Sequence, residues 1–170
     1  IKSLGVDYME FSPNPIIRAK LNRIGLEEVG DISWPEHVGI FTIPVRAAVE
    51  YNVPLIIWGE NSQNEYGGPI SKMNNDVLDR SWLEEFGGLL GLRISDLTES
   101  YNIKINDLLI YTYPEKEKIE KANLQGLFLG YFFSWNGYEN AIIAKQNGFK
   151  YYDKEVEGSS MNYENLDNFQ

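Results

Sequence analysis

The spacing of apolar residues changes period several times along the chain, and each change predicts an element. Gly5 to Phe11 (GVDYMEF) alternates apolar and polar residues before Ser12-Pro13-Asn14-Pro15, which predicts a strand running into a turn. Ile16, Ile17, Leu21 and Ile24 then recur at helical spacing among basic residues, and Gly25 is the expected stop. Ser33-Trp34-Pro35-Glu36 offers a serine N-cap, a proline in the first turn and an acid three residues on. The largely apolar stretch that follows, Val38 to Tyr51, predicts a mostly buried helix with Pro44 as its point of interruption. Val53 to Trp58 (VPLIIW) is a short continuous apolar run closed by Gly59, as expected of a strand covered on both faces.

Beyond it, Glu60 to Asp79 is polar, Asn-rich and aperiodic, a long loop of the kind that carries function in compact domains. Short helices are expected over Ser81 to Gly91, Ile94 to Tyr101 and Pro114 to Ala122. A second buried strand is expected over Gly126 to Phe133, and a helix over Gly137 to Gln146 with Gly148 just past its end. A helix leading into a buried strand is the repeating unit of an α/β fold, a parallel sheet flanked by helices.

The chain has 170 residues, 43% of them hydrophobic, which is enough for the core of one domain, so residues 1–170 are expected to form a single segment of one domain. No run approaches the roughly 20 apolar residues of a bilayer-spanning helix, so membrane insertion is not expected. A net charge of −10, with scattered Lys and Arg, argues against nucleic-acid binding, which needs clustered cations. The absence of cysteine removes disulfides, thiolate metal sites and Cys nucleophiles from the chemistry. Ile1 is not an initiator Met, no leader pattern follows it, and the last residues stop without a helix-ending signal. The expectation is a cytoplasmic segment truncated at both ends.

Candidate chemistry centres on Ile56 to Pro69 (IIWGENSQNEYGGP), which leaves the first buried strand at its carboxyl end. Ligands bind at that edge of open α/β sheets. Gly59 lets a ligand approach the backbone, Glu60 and Glu65 offer carboxylates for Mg²⁺ or for orienting a nucleophile, and Asn61 and Asn64 offer donors and acceptors. His37, the only histidine, sits near a helix start, where it is either a satisfied core residue or a catalytic group. Tyr131, Phe132, Phe133, Trp135 and Tyr138 follow the second strand; they either pack the core or offer faces for stacking on a sugar or base. Glu27, Glu28, Asp31, Glu84 and Glu85 read as solvated faces or caps. No Walker loop, no GxGxxG and no His or Cys metal spacing is present.

Five blocks carry a resemblance: GDISWPEHVGIFTIPV (30–45), PLIIWGENSQNEYGGP (54–69), WLEEFGGLLGLRISDL (82–97), LGYFFSWNGYENAIIA (129–144) and VEGSSMNYENLDNFQ (156–170). In this order they resemble the N-acetyl-sugar amidotransferases, within the PP-loop ATP pyrophosphatases. The resemblance implies an adenine-nucleotide α-hydrolase-like (Rossmann-like) sheet, incomplete in this segment because the family's Ser-Gly-Gly-x-Asp-Ser loop has no match here. It implies an enzyme that uses ATP and Mg²⁺ to adenylate the acetamido oxygen of a nucleotide-linked N-acetyl sugar. Ammonia from a glutaminase subunit then displaces AMP, giving an acetamidino group in lipopolysaccharide, O-antigen or other surface-glycan biosynthesis. Displacing an amide oxygen requires that it first become a leaving group, and charge on the α-phosphate requires donors or a cation.

Residue by residue, the resemblance and the sheet edge together give Glu60, Glu65 and His37 as catalytic candidates. Trp58, Gly59, Glu60 and Asn61 are the nucleotide-side candidates, and Asn64, Tyr66, Gly67, Gly68, Tyr131 and Trp135 the sugar-side ones, with no protein-only metal centre. Two other readings stand beside this one. The first is another PP-loop pyrophosphatase, resembling amide or NAD synthetases; the second is a noncatalytic carbohydrate-binding module.

Overall fold

The computed structural model describes residues 4–59, 90–134, 136–154 and 162. They fall in two compact units: Pro13–Phe133, and a smaller one formed by Ile1–Ser12 with Ser134–Gln170.

The larger unit opens with helix α1 (Pro15–Val29), whose N-cap Asn14 accepts from the Ile16 N–H at 3.0 Å and whose first residue is proline. The helix does not stop at Gly25. It runs on to Gly30, which takes the left-handed conformation at φ +75°. Gly25 serves close approach instead: a Cβ there would lie 2.5 Å from both the Asp31 carbonyl oxygen and the Trp34 Cβ. The chain thus folds back over Gly25, and the Asp31 N–H donates to the Gly25 carbonyl at 3.1 Å.

Helix α2 (Trp34–Glu50) follows directly and passes through Pro44 unbroken. Proline deprives the Ile40 carbonyl of its helical donor, and Ile40 lies on the exposed side of the helix, where water can replace that donor. The buried stripe Trp34, Val38, Phe41, Val45 and Ala48 has the three- and four-residue spacing of one helix face. Its first half joins Leu21, Ile24, Leu92, Leu97, Ile103, Leu108 and Tyr111 in one apolar cluster; Phe41 and Val45 join Trp58 and Phe128 in a second.

Strand β1 (Leu55–Trp58) pairs in parallel with β2 (Gln125–Phe128), with Leu55 opposite Gln125 and Trp58 opposite Phe128. Among the described residues these two strands make the only sheet, so the architecture is helical with a small parallel sheet, compatible with an α/β fold. Two expectations are corrected here. Leu55 and Ile57 are exposed while Trp58 is buried, so β1 is covered on one face rather than two. And β2 ends at Phe128, because the chain turns into a 3₁₀ segment (Leu129–Tyr131) that leaves Tyr131, Phe132 and Phe133 exposed instead of packed in a core.

Between the strands lie α3 (Ile94–Tyr101), α4 (Ile105–Leu108) with a 3₁₀ turn (Leu109–Tyr111), and α5 (Lys116–Lys121). The Asp96 carboxylate accepts from the Arg93 N–H at the start of α3, and left-handed Asn102 ends it. The helix expected over Ser81 to Gly91 and the loop Glu60 to Asp79 lie outside the described residues, apart from Leu90 and Gly91. Thr42 and Arg46 tie α2 to the turn after α4. The fully buried Thr42 hydroxyl donates to the Ile110 carbonyl at 2.7 Å, and Arg46 donates to the Thr112 carbonyl at 3.1 Å.

In the smaller unit, helix α6 (Gly137–Gln146) begins at Asn136, whose side chain accepts from the Glu139 N–H. It ends in a Schellman turn: Gly148, at φ +92°, donates to the Lys145 carbonyl and Phe149 to that of Ala144. The strand expected over Gly5 to Phe11 is absent, since residues 6–14 carry no strand pairing and Val6, Tyr8, Met9 and Phe11 are exposed. Alternation supplies a face, but a strand also needs a neighbour's hydrogen bonds. Among the described residues no helix is long and apolar enough to cross a membrane.

Candidate site at the carboxyl edge of the sheet

Parallel pairing places Trp58 beside Phe128, so the segments that leave both strands, Gly59 onward and Leu129–Tyr131, emerge at the same edge. Among the described residues, nothing lies within 4 Å of the position a Cβ would take on Gly59. Tyr131 stands in the turn after β2, 39% exposed. Trp58 is buried against Phe41, ring centroids 5.6 Å apart, and its indole N–H finds no acceptor among the described residues.

Helix α2 reaches the same edge by a simple geometric route. At the other end of β1, the Val53 N–H donates to the Ala48 carbonyl at 2.8 Å, whereas at its carboxyl end Trp58 meets Phe41. Helix and strand therefore run antiparallel, and the first turns of α2 extend past the end of β1. His37 precedes Phe41 by four residues on the same helix face, about 6 Å further in that direction. His37 thus stands at the carboxyl edge, the side on which parallel sheets receive ligands.

There it is held by a residue that its sequence context assigns to a cap. The Asp31 carboxylate does two things at once: Oδ1 accepts from the Ser33 N–H at 2.9 Å, and Oδ2 lies 2.7 Å from His37 Nδ1. The Asp31 side chain is 16% exposed and that of His37 30%, so the pair is sheltered on one side and reachable on the other. Ser33 occupies the N-cap position of α2, but its side chain makes no capping bond to the helix; Asp31 orders this entry turn.

Around the pair, Glu36 is gripped by α1. Its Oε1 pairs with Arg18 Nε at 2.5 Å and its Oε2 accepts from Asn22 Nδ2 at 2.8 Å, while the same amide donates to the Ile32 carbonyl at 2.6 Å. Burial and then the Glu36 charge push the Tyr111 phenol above its ordinary value, and Arg18 draws it partly back. At the far end of α1, Tyr101 donates to Glu28, and that bond holds its phenol above the ordinary value too. Glu27 pairs with Arg23 on the same helix.

The structure therefore brings His37, Trp58, Gly59 and Tyr131 to one edge. Glu60, Asn61, Asn64, Glu65, Tyr66, Gly67, Gly68, Glu84, Glu85 and Trp135 lie outside the described residues. Asp31 is the functional candidate that residue patterns missed. The signal for it was weak: an acid six residues before the only histidine, with a serine between them. No family model matches the chain, and no curated protein matches it.

Proposed function

We propose that the chain carries the strand-end portion of an ATP-dependent amidotransferase, which converts the acetamido group of a nucleotide-linked N-acetyl sugar to an acetamidino group through an adenylated intermediate and ammonia. The five ordered blocks support this reading, and so does one observation above all: two parallel strands end side by side, with a glycine directly after one of them and a histidine-bearing helix start towards the same edge. On this reading the sheet continues into an adenine-nucleotide α-hydrolase-like fold, and a separate glutaminase supplies the ammonia.

On this reading ATP lies at that edge, where a glycine lacking a Cβ lets phosphate or base reach backbone amides, next to the apolar wall of Trp58 and Phe128. Mg²⁺ would supply charge neutralisation at the phosphates, with Glu60 and Glu65 as its ligands; the described residues hold no group of three such side chains. The sugar lies towards Tyr131, with Asn64, Tyr66, Gly67, Gly68 and Trp135 as its further contacts. The test is to supply the intact protein with ATP, Mg²⁺, ammonia and a nucleotide-linked N-acetyl sugar, and to measure AMP against amidine product. Equal amounts of the two, dependent on both sugar and ammonia, are expected; AMP release indifferent to the sugar refutes the reading.

The exposed aromatic turn Tyr131-Phe132-Phe133 favours a second reading, a carbohydrate-binding module that stacks sugar rings without chemistry. Calorimetry separates the two. Saturable binding of the free sugar without nucleotide, and no AMP release, belongs to the module alone.

A further inference from the structure

We propose that the Asn136-Gly137 step is a site of spontaneous covalent modification, at which Asn136 loses its amide as ammonia and becomes aspartate or isoaspartate. The chain's other Asn-Gly step, Asn147-Gly148, is protected by the fold. The inference stands apart from the sheet edge and from any nucleotide or sugar.

The chemistry belongs to the sequence, and the choice between the two steps to the structure. They bracket helix α6, one at each end, and both asparagines are exposed. In such a step the glycine's backbone nitrogen gives its proton to water or hydroxide and attacks Cγ of the asparagine. The N–Cγ bond forms, the Cγ–Nδ2 bond breaks, and Nδ2 leaves as ammonia with a proton from solvent. Water then opens the cyclic imide at either carbonyl, so amide plus water becomes acid plus ammonia with no change of oxidation state. Glycine permits the attack because no Cβ crowds its nitrogen.

The attack needs rotation about the asparagine Cα–C bond until Cγ meets the next nitrogen. With ψ at 98° in Asn136 and 18° in Asn147, that nitrogen lies on the far side of the bond from Cβ in both. The cost of the rotation differs. At Asn136 the carbonyl can stay with the helix while Cα and the side chain turn, so the Asn140 N–H keeps the Asn136 carbonyl as its acceptor at 2.9 Å. Among the described residues the turn gives up one hydrogen bond, the cap from the Glu139 N–H to Oδ1 at 3.1 Å. The attacking nitrogen, that of Gly137, carries the first N–H of the helix, a position with no acceptor inside the helix.

At Asn147 the same rotation undoes the helix end. The leaving amide donates from Nδ2 to the Ile143 carbonyl at 2.9 Å, the attacking Gly148 N–H to that of Lys145 at 3.1 Å, and the Phe149 N–H to that of Ala144 at 2.9 Å. Opening these instead of a single cap slows the step by about tenfold or more. The products differ as well. Aspartate serves at an N-cap as well as asparagine does, whereas a carboxylate at position 147 has no proton to give the Ile143 carbonyl.

Ageing the intact protein in mildly alkaline buffer and mapping its peptides by mass spectrometry, with isoaspartate counted by enzymatic methylation, reads both steps in one sample. Acid at Asn136 is expected to form about tenfold faster or more than at Asn147, adding one negative charge to a chain at −10. In urea, where both are bare Asn-Gly steps, the two rates should converge. Gly137→Ala, which suits a helix, should abolish conversion at Asn136 and leave Asn147 as it was. Equal rates in the folded chain, a faster Asn147, or an Asn136 that stays intact while the urea-unfolded chain converts overturns the proposal. So does a difference that persists in urea, or a Gly137→Ala protein whose Asn136 converts as before.

Discussion

Gly25→Ala sets two known effects against each other and asks which is larger. In a helix interior alanine is favoured over glycine by about 1 kcal/mol, so propensity alone predicts a more stable α1. The structure predicts the reverse, because the new methyl would sit 2.5 Å from the Asp31 carbonyl oxygen and from the Trp34 Cβ, well inside the ~3.5–4.0 Å of a normal contact. Neither neighbour can rotate away: one is backbone, and the other is the root of a fully buried indole. Overpacking of this kind costs typically 1–3 kcal/mol, and two rigid neighbours place it at the upper end. The net loss should be about 2 kcal/mol, or roughly 4–8 °C in melting temperature for a chain of this size. Urea unfolding followed by tryptophan fluorescence measures it. A variant as stable as the original, or more stable, would mean that α1 and α2 do not approach as closely as the structure has them, and the placement of Asp31 beside His37 would fall with it.

Thr42→Val keeps the shape of a fully buried side chain but strips the donor from the Ile110 carbonyl, so it should cost about 1–2 kcal/mol in denaturant unfolding; an unchanged midpoint would remove the link between α2 and the 109–111 turn. Tyr101 and Tyr111 both have phenols raised above the ordinary value, so the folded chain keeps those protons to higher pH than the unfolded chain does. Their contribution to stability is therefore whole below about pH 10 and falls as pH climbs through the raised values. Unfolding midpoints taken across that range should drop, and Tyr111→Phe should flatten the slope; a slope indifferent to that substitution refutes the assignment.

Much of the fold was legible because its elements carry strong periodic signals. The stripe of α2, the proline-opened α1, the VPLIIW run and the Gly148 stop are local features, and each lies close to where residue spacing puts it. What spacing missed depends on contacts made elsewhere in the chain. Gly25 reads as a helix end because glycine usually weakens helices, yet here it admits Trp34, nine residues on. Gly5 to Phe11 has the alternation of a strand without a strand to pair with. Val53 to Trp58 is apolar enough for two covered faces, but only Ile56 and Trp58 turn inward. The aromatic run after Phe128 was ambiguous between core and surface, and a 3₁₀ turn sends it outward. For the site, His37 and the strand exit could be found by residue type and position. Asp31 could not, because its role depends on the tight corner after Gly30 bringing it back over α1 and against the ring.

That corner also explains how the carboxyl edge of the two described strands can be held firmly. Two parallel strands of four residues have little rigidity of their own, and sites work best on elements that cannot drift. Helix α2 provides the missing stiffness, since His37 lies between Trp34, which is packed in the first cluster, and Phe41, which is packed in the second. Moving the imidazole by an ångström would require sliding a helix anchored at both places and tied by Thr42 and Arg46 to the turn between them. Opening either cluster exposes a fully buried Trp34 or Phe128, each burying ~1.5–3 kcal/mol or more of apolar side chain. Asp31 is anchored by a backbone N–H on one side and fitted against Gly25 on the other, so Asp31 and His37 are both fixed by packing at this corner. The same contacts that make Gly25→Ala costly are the ones that aim His37.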